Sequence, residues 1–228
     1  MNKTQLRQKL KRRAIAMELG GFAPPKDPFI SWFGRVLVAK PEQYWPTTDD
    51  KPMHALCQLN LTELPFKPKG LEDLAMVTVF IGPENLPIDA PNGTGWCLRA
   101  YKELDGLVPL SGPATGSAIK AFPMKPRVID ADFPCHDDLD IELPEELEDE
   151  YEELFENVGG FKLGGWPSLI QSEIFWAPFN QHPFNPEYVF QIDSTEKGRW
   201  AWGDSGTGYF GRGKGAHSDE WTIQWQCY

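Results

Sequence analysis

The apolar positions change period three times along the chain. Leu6, Leu10, Ala14 and Met17 recur at spacings of three and four, which predicts an amphipathic helix over residues 3–19, stopped by Gly20 and Gly21. Short runs of β-branched and aromatic residues bounded by Gly or Pro follow. They predict strands at Val36–Val38, Ala55–Leu61, Met76–Ile81 and Trp96–Tyr101. A Gly/Pro-rich connector spans Pro109–Pro126. From Pro144 the period becomes helical again, with Leu147, Tyr151, Leu154, Phe155 and Val158 on one face, and Gly159 and Gly160 close this second helix. Strands are then expected at Ile170–Trp176, Tyr188–Asp193, Arg199–Trp202, Thr207–Phe210 and Trp221–Cys227. In the last, Trp221, Ile223, Trp225 and Cys227 alternate with Thr222, Gln224 and Gln226, the pattern of a strand with one buried side.

The two β-rich parts also match each other in order and spacing. Phe33-Gly34, Gln58, Phe80 and Trp96 run parallel to Gly164-Gly165, Gln191, Phe210 and Trp225, so a degenerate internal duplication is expected. The fold class is α+β and β-rich: two duplicated β-modules, an N-terminal helix and a central acidic helix. The expected divisions are 1–26, a basic helix and linker; 27–126, the first module; 127–160, an acidic connector and helix; and 161–228, the second module.

Composition sharpens this. The 228 residues are 41% hydrophobic and carry a net charge of −11, which argues against nucleic-acid phosphate or an anionic membrane as partner of the whole molecule. The charge is local: Val128–Phe161 holds 14 Asp or Glu and no Lys or Arg, leaving 22 basic against 19 acidic residues elsewhere. One segment makes the protein acidic. Four dispersed cysteines without a CxxC pair exclude a zinc ribbon and a redox motif. Neither a signal-peptide core nor a membrane-spanning run follows the basic N-terminal residues, and a cytoplasmic location is expected.

Motifs for chemistry are incomplete. Gly203-Asp204-Ser205-Gly206 resembles the nucleophile signature of trypsin-type proteases, but His54 lacks the setting of a catalytic base, and Ser205 reads as structural. Gly206–Gly211 satisfies GxGxxG without a following helix, and Gly215 stands where a phosphate loop needs Ser or Thr, so a hairpin turn and loop is the expected use. His54, His136, His182 and His217 show no metal spacing. Trp200, Trp202, Trp221 and Trp225 read as core packing before an aromatic cage. Catalytic residues, metals and cofactors are therefore all expected to be absent.

The blocks Lys162-Leu163-Gly164-Gly165-Trp166-Pro167, Phe190-Gln191-Ile192-Asp193, Trp202-Gly203-Asp204-Ser205-Gly206 and Cys227-Tyr228 resemble the YwqG-like family of bacterial proteins. Ser31-Trp32-Phe33-Gly34 and Gln58-Leu59-Asn60-Leu61 extend the resemblance over residues 27–228, although Arg35 replaces an expected glycine. The resemblance implies a β-rich fold of duplicated modules with no catalytic residues to carry over. Its relatives include the programmed-cell-death-protein-2 group, which escorts a ribosomal protein, and bacterial members encoded beside secreted toxins. The expected function is that of an immunity protein covering the active site of a basic toxin, such as a secreted nuclease; the alternative is an escort for a basic housekeeping protein. The expected partner surface is Asp137, Asp138, Asp140 and Glu142 in the loop, with Glu145, Glu148, Asp149, Glu152 and Glu156 on the acidic helix.

Overall fold

The computed structural model describes every residue except Met1, Asp140, Glu142, Pro144, Asp149 and 177–183. Its frame is one ten-stranded antiparallel sheet: β1 (Arg12–Leu19), β2 (Trp32–Phe33), β3 (His54–Asn60), β4 (Met76–Ile81), β5 (Trp96–Tyr101), β6 (Phe122–Asp132), β7 (Lys162–Gly164), β8 (Glu187–Asp193), β9 (Thr207–Arg212) and β10 (Trp221–Gln226). The spatial order is β10-β9-β8-β7-β1-β6-β2-β3-β4-β5. Two four-stranded meanders thus flank a central pair, β1 and β6. The sheet curls until its ends nearly meet, which buries apolar side chains that a flat sheet would leave wet. Trp96 of β5 meets Phe210 of β9 edge-on at 6.3 Å, and Trp225 Nε1 of β10 donates to Pro87 O in the β4–β5 connection at 2.9 Å. The main core lies inside the curl, with Ile15, Phe33, Cys57, Val79, Leu163 and Ile192 among its residues.

The N-terminal helix is shorter than its periodicity predicts. α1 spans Lys3–Leu10, opened by a reciprocal cap between Asn2 and Gln5. Residues 12–19 are strand β1, because both their faces are covered: Ile15 and Met17 enter the main core, while Ala14 and Ala16 pack with Ile129 outside it. Two-sided burial erases the alternation that marks a strand in sequence.

The single central helix is not formed either. Its residues make two one-turn helices, α2 (Glu145–Glu148) and α3 (Tyr151–Leu154). Like charges four apart, such as Glu148 with Glu152 and Glu152 with Glu156, oppose a continuous helix.

The strands expected at Met76–Ile81 and Trp96–Tyr101 form with those bounds. Arg199–Trp202 contributes only a bridge from Trp200 to Thr195, and 170–176 has no strand. That segment instead covers the second face of β10. Buried Gln226 accepts from Ile170 N at 3.0 Å and donates to Ser172 O at 2.8 Å, so β10 has two buried sides where one was expected.

Candidate functional site

The acidic segment connects β6 to β7. Its apolar residues turn inward: Tyr151 stacks on Phe155 at 4.8 Å, Phe155 meets Phe133 edge-on at 5.3 Å, and Leu6 and Leu10 of α1 complete the cluster. The basic helix thereby covers the inner face of the acidic segment. Arg7 lies 4.7 Å from the Phe133 ring centroid and donates to Leu154 O at 2.7 Å, where a cation suits the free carbonyls at the end of α3. Trp166 Nε1 donates to Leu10 O at 2.7 Å. Burial pushes the Tyr151 phenol upward, and its hydroxyl donates to Pro134 O at 3.0 Å.

Of the predicted partner residues, Glu148, Glu152 and Glu156 are exposed, and Asp138 is half-buried. Asp137 lies in the 3-10 turn His136–Asp138, and Glu145 opens α2. Asp140, Glu142 and Asp149 lie outside the described residues.

Beneath this segment the structure assembles a charged centre that no sequence motif marks. Lys162 of β7 and Asp132 of β6 both have fully buried side chains, with Nζ 3.0 Å from Oδ2. The carboxylate is further held by Val158 N at 2.9 Å and Trp166 N at 2.7 Å. Ser168 Oγ lies 3.4 Å from Lys162 Nζ and itself donates to Val158 O at 3.1 Å. Burial lowers the Lys162 pKa, opposed by the attraction of Asp132. A buried ion needs such compensation, since desolvation costs more than a single contact returns.

Around it Gln191 accepts from Ser168 N at 2.8 Å and donates to Asp193 Oδ1 at 2.9 Å. Burial also raises the Asp193 carboxyl, against hydrogen bonds from Gly160 N, Gln191 and Thr207 that favour its charged form. The network rigidifies the Gly164–Ser168 turn and fixes where the acidic segment rejoins the sheet. The available signal was a lysine inside the apolar run Phe161–Leu163 and an aspartate before Phe133; their pairing required the strand register.

The other motifs resolve into packing. Ser205 stands in an exposed turn with φ 56°, and Asp204 O accepts from Tyr228 N at 3.3 Å. The GxGxxG stretch lies mostly in buried strand β9 rather than in an exposed loop. A Cβ at Gly208 would come within 2.4 Å of the Trp202 ring, and one at Gly211 within 2.9 Å of Trp176. The glycines make room for indoles. Trp200 and Trp202 meet edge-on at 5.0 Å, and Trp202 and Trp221 belong to the main core. His54 opens β3 and His217 stacks on Phe184 at 5.1 Å; His182 lies outside the described residues. Among the described residues no group of three His, Cys, Asp or Glu could hold a metal ion, and no helix is long and apolar enough to cross a membrane.

No curated protein matches the chain. A family described as a domain of unknown function, DUF1963, matches residues 33–212, from the end of β2 to the end of β9. The chain therefore belongs to the DUF1963 family.

Proposed function

We propose that this protein is a cytoplasmic immunity protein of YwqG-like type that binds a basic toxin, such as a secreted nuclease, and covers its active site without catalysing a reaction. The observation that carries this reading is the division of labour within the acidic segment. Tyr151 and Phe155 are buried against α1 while Glu148, Glu152, Glu153 and Glu156 are exposed. Exposed like charges add little to stability, so their concentration favours association over folding.

The test is co-expression with the reading frame encoded beside the gene. Protection from its toxicity is expected, together with an association rate that falls with salt. The triple variant Glu148→Lys, Glu152→Lys, Glu156→Lys should lose both. A harmless neighbour combined with recovery of a ribosomal protein would favour the escort role. Binding indifferent to salt and to the triple variant would refute the acidic face as partner surface.

The fold reading that accompanies it is a duplication in which each unit lends its first strand to the other: β1 with β2–β5, and β6 with β7–β10. Five registers support it. Ile15 of β1 faces Leu163 of β7, as Phe122 of β6 faces Phe33 of β2. The pairs Met17↔Pro126 and Leu19↔Met124 exchange about Glu18↔Lys125. Gln58 pairs with Trp32 and donates to Ile30 O; Gln191 pairs with Lys162 and donates to Gly160 O. On this reading the acidic segment is the β6–β7 connection, whose counterpart between β1 and β2 is Gly20–Ser31. Superposing the two five-strand units should bring Gln58 onto Gln191, and failure of those residues to coincide would end the idea.

A further inference from the structure

The chain carries a net charge of −11, yet five cations converge on one groove. The groove runs between β1, the Gly164-Gly165 turn, the Pro68–Gly70 loop and the start of β8. Its main lobe has a volume of about 460 Å³, with Arg12, Arg13, Lys69 and Tyr188 among its walls. A second lobe of about 220 Å³ shares Lys69, Glu187 and Tyr188 and is bounded by Arg212 and Lys214. Five cations and two carboxylates, Glu72 and Glu187, line the two lobes together.

The carboxylates offset most of this charge, but they do so through specific pairs that leave Arg12 outside them. Glu187 accepts from Lys69 Nζ at 2.8 Å through one oxygen and from Lys214 Nζ at 2.9 Å through the other. These hydrogen bonds hold its carboxyl below the usual range and fix both ammoniums at the groove. Arg13 is 3.5 Å from Asp130, and Arg212 makes a two-point contact with Asp73. Arg12 differs: among the described residues it has no carboxylate within 4.0 Å. Its guanidinium lies 3.2 Å from the Trp166 ring centroid, and Nη1 donates to Gly165 O at 3.4 Å. Stacking holds the guanidinium plane at the groove, where its fork geometry suits a planar or tetrahedral anion.

We propose that this groove binds a small ligand carrying two or more linked phosphates, one held by Arg12 and Arg13 and the next by Lys69 and Lys214. A single carboxylate would satisfy one end only, whereas the cations stand at both lobes. The combined space falls in the range of small-molecule sites, and the Tyr188 ring with Pro68 supplies an apolar wall. Lys214 comes from the glycine-rich hairpin, so that segment contributes a side chain to the site and not a phosphate loop. The inference is independent of the partner surface proposed above, which lies on the exposed carboxylates.

The test is isothermal titration at low and at 0.5 M-class salt (on the order of a 3–5 Å screening length) with inorganic pyrophosphate, ADP and, as a phosphate-free polyanion, citrate. The wild type is compared with Arg12→Gln and with Lys69→Ala/Lys214→Ala, each checked for an unchanged circular-dichroism spectrum. Sub-millimolar binding of pyrophosphate or ADP, weakened about tenfold or more in both variants, is expected, since each variant removes a charge-assisted contact to a phosphate. ADP binding tighter than pyrophosphate supports a nucleoside in the main lobe; equal affinities support a ligand recognised by its phosphates alone. Absence of saturable binding, unchanged affinity in the variants, or citrate binding as tightly as pyrophosphate would overturn the proposal.

Discussion

Lys162→Met removes the buried ammonium while keeping the length and apolar stem of the side chain. Asp132 then remains as a carboxylate with no exposed side-chain area, and its supports shrink to Val158 N and Trp166 N. Breaking one side of a buried pair costs about 3–5 kcal/mol. For a chain of this size each kcal/mol moves the melting temperature by roughly 2–4 °C, so a drop on the order of 6–20 °C is expected. Asp132→Asn should cost a similar amount and respond differently to pH. Without its carboxylate partner, Lys162 loses the attraction that opposes its desolvation, and its folded pKa falls further below the unfolded value. The unfolded chain then binds more protons across the window from that lowered value up to about 10.4, so the deficit of Asp132→Asn should narrow as pH rises through it. Thermal melts of wild type and both variants from neutral to alkaline pH read both effects. A Lys162→Met penalty under about 1 kcal/mol, or a deficit in Asp132→Asn that widens with pH, would refute the account of a buried, mutually compensating pair.

Gly165→Ala should destabilise by at least about 2 kcal/mol, because φ is +69° and the new Cβ would fall 2.2 Å from Asp132 Oδ2; chemical denaturation checks it. Trp225→Phe keeps the ring packing and removes the hydrogen bond to Pro87 O, a loss of about 1 kcal/mol that a thermal melt should register as a small downward shift. Hydrogen bonds from Arg212 hold the Asp73 carboxyl below its usual range, so its contribution is present above the unfolded Asp value and is lost as pH falls through the lowered folded one. The stability difference between wild type and Asp73→Asn should therefore shrink on acidification below about pH 3.9. Ser205→Ala should change stability by no more than about 0.5 kcal/mol, and a serine-directed fluorophosphonate should leave Ser205 unlabelled.

The segments legible in the sequence are those whose environment is uniform along their length. Met76–Ile81 reads as a strand because β-branched and apolar residues fill it from end to end, and Trp96–Tyr101 reads as one because its buried and less buried residues alternate over most of its length. The position of Gln191 in a strand was visible, and so was the concentration of 14 carboxyl groups in one segment. The same local patterns failed where a second layer changes the environment. In β1, Ala14 and Met17 fit the helical spacing of α1, and only the pairing with β6 and β7 makes the segment a strand. The alternation of β10 predicts one buried side, and nothing near it in sequence announces that 170–172 folds back on Gln226.

The sequence by itself determined that this chain is β-rich and that its charge is concentrated in one segment. Those are properties of composition and local order, which survive any arrangement of the strands. Tertiary structure alone decided the curled ten-strand order, the capture of the acidic segment's apolar face by the basic α1, and the pairing of Lys162 with Asp132. It also gathered Arg12, Lys69 and Lys214 into one groove from three distant parts of the chain. Contacts of that kind depend on which strands become neighbours, and neighbouring is set by burying apolar surface across the whole sheet.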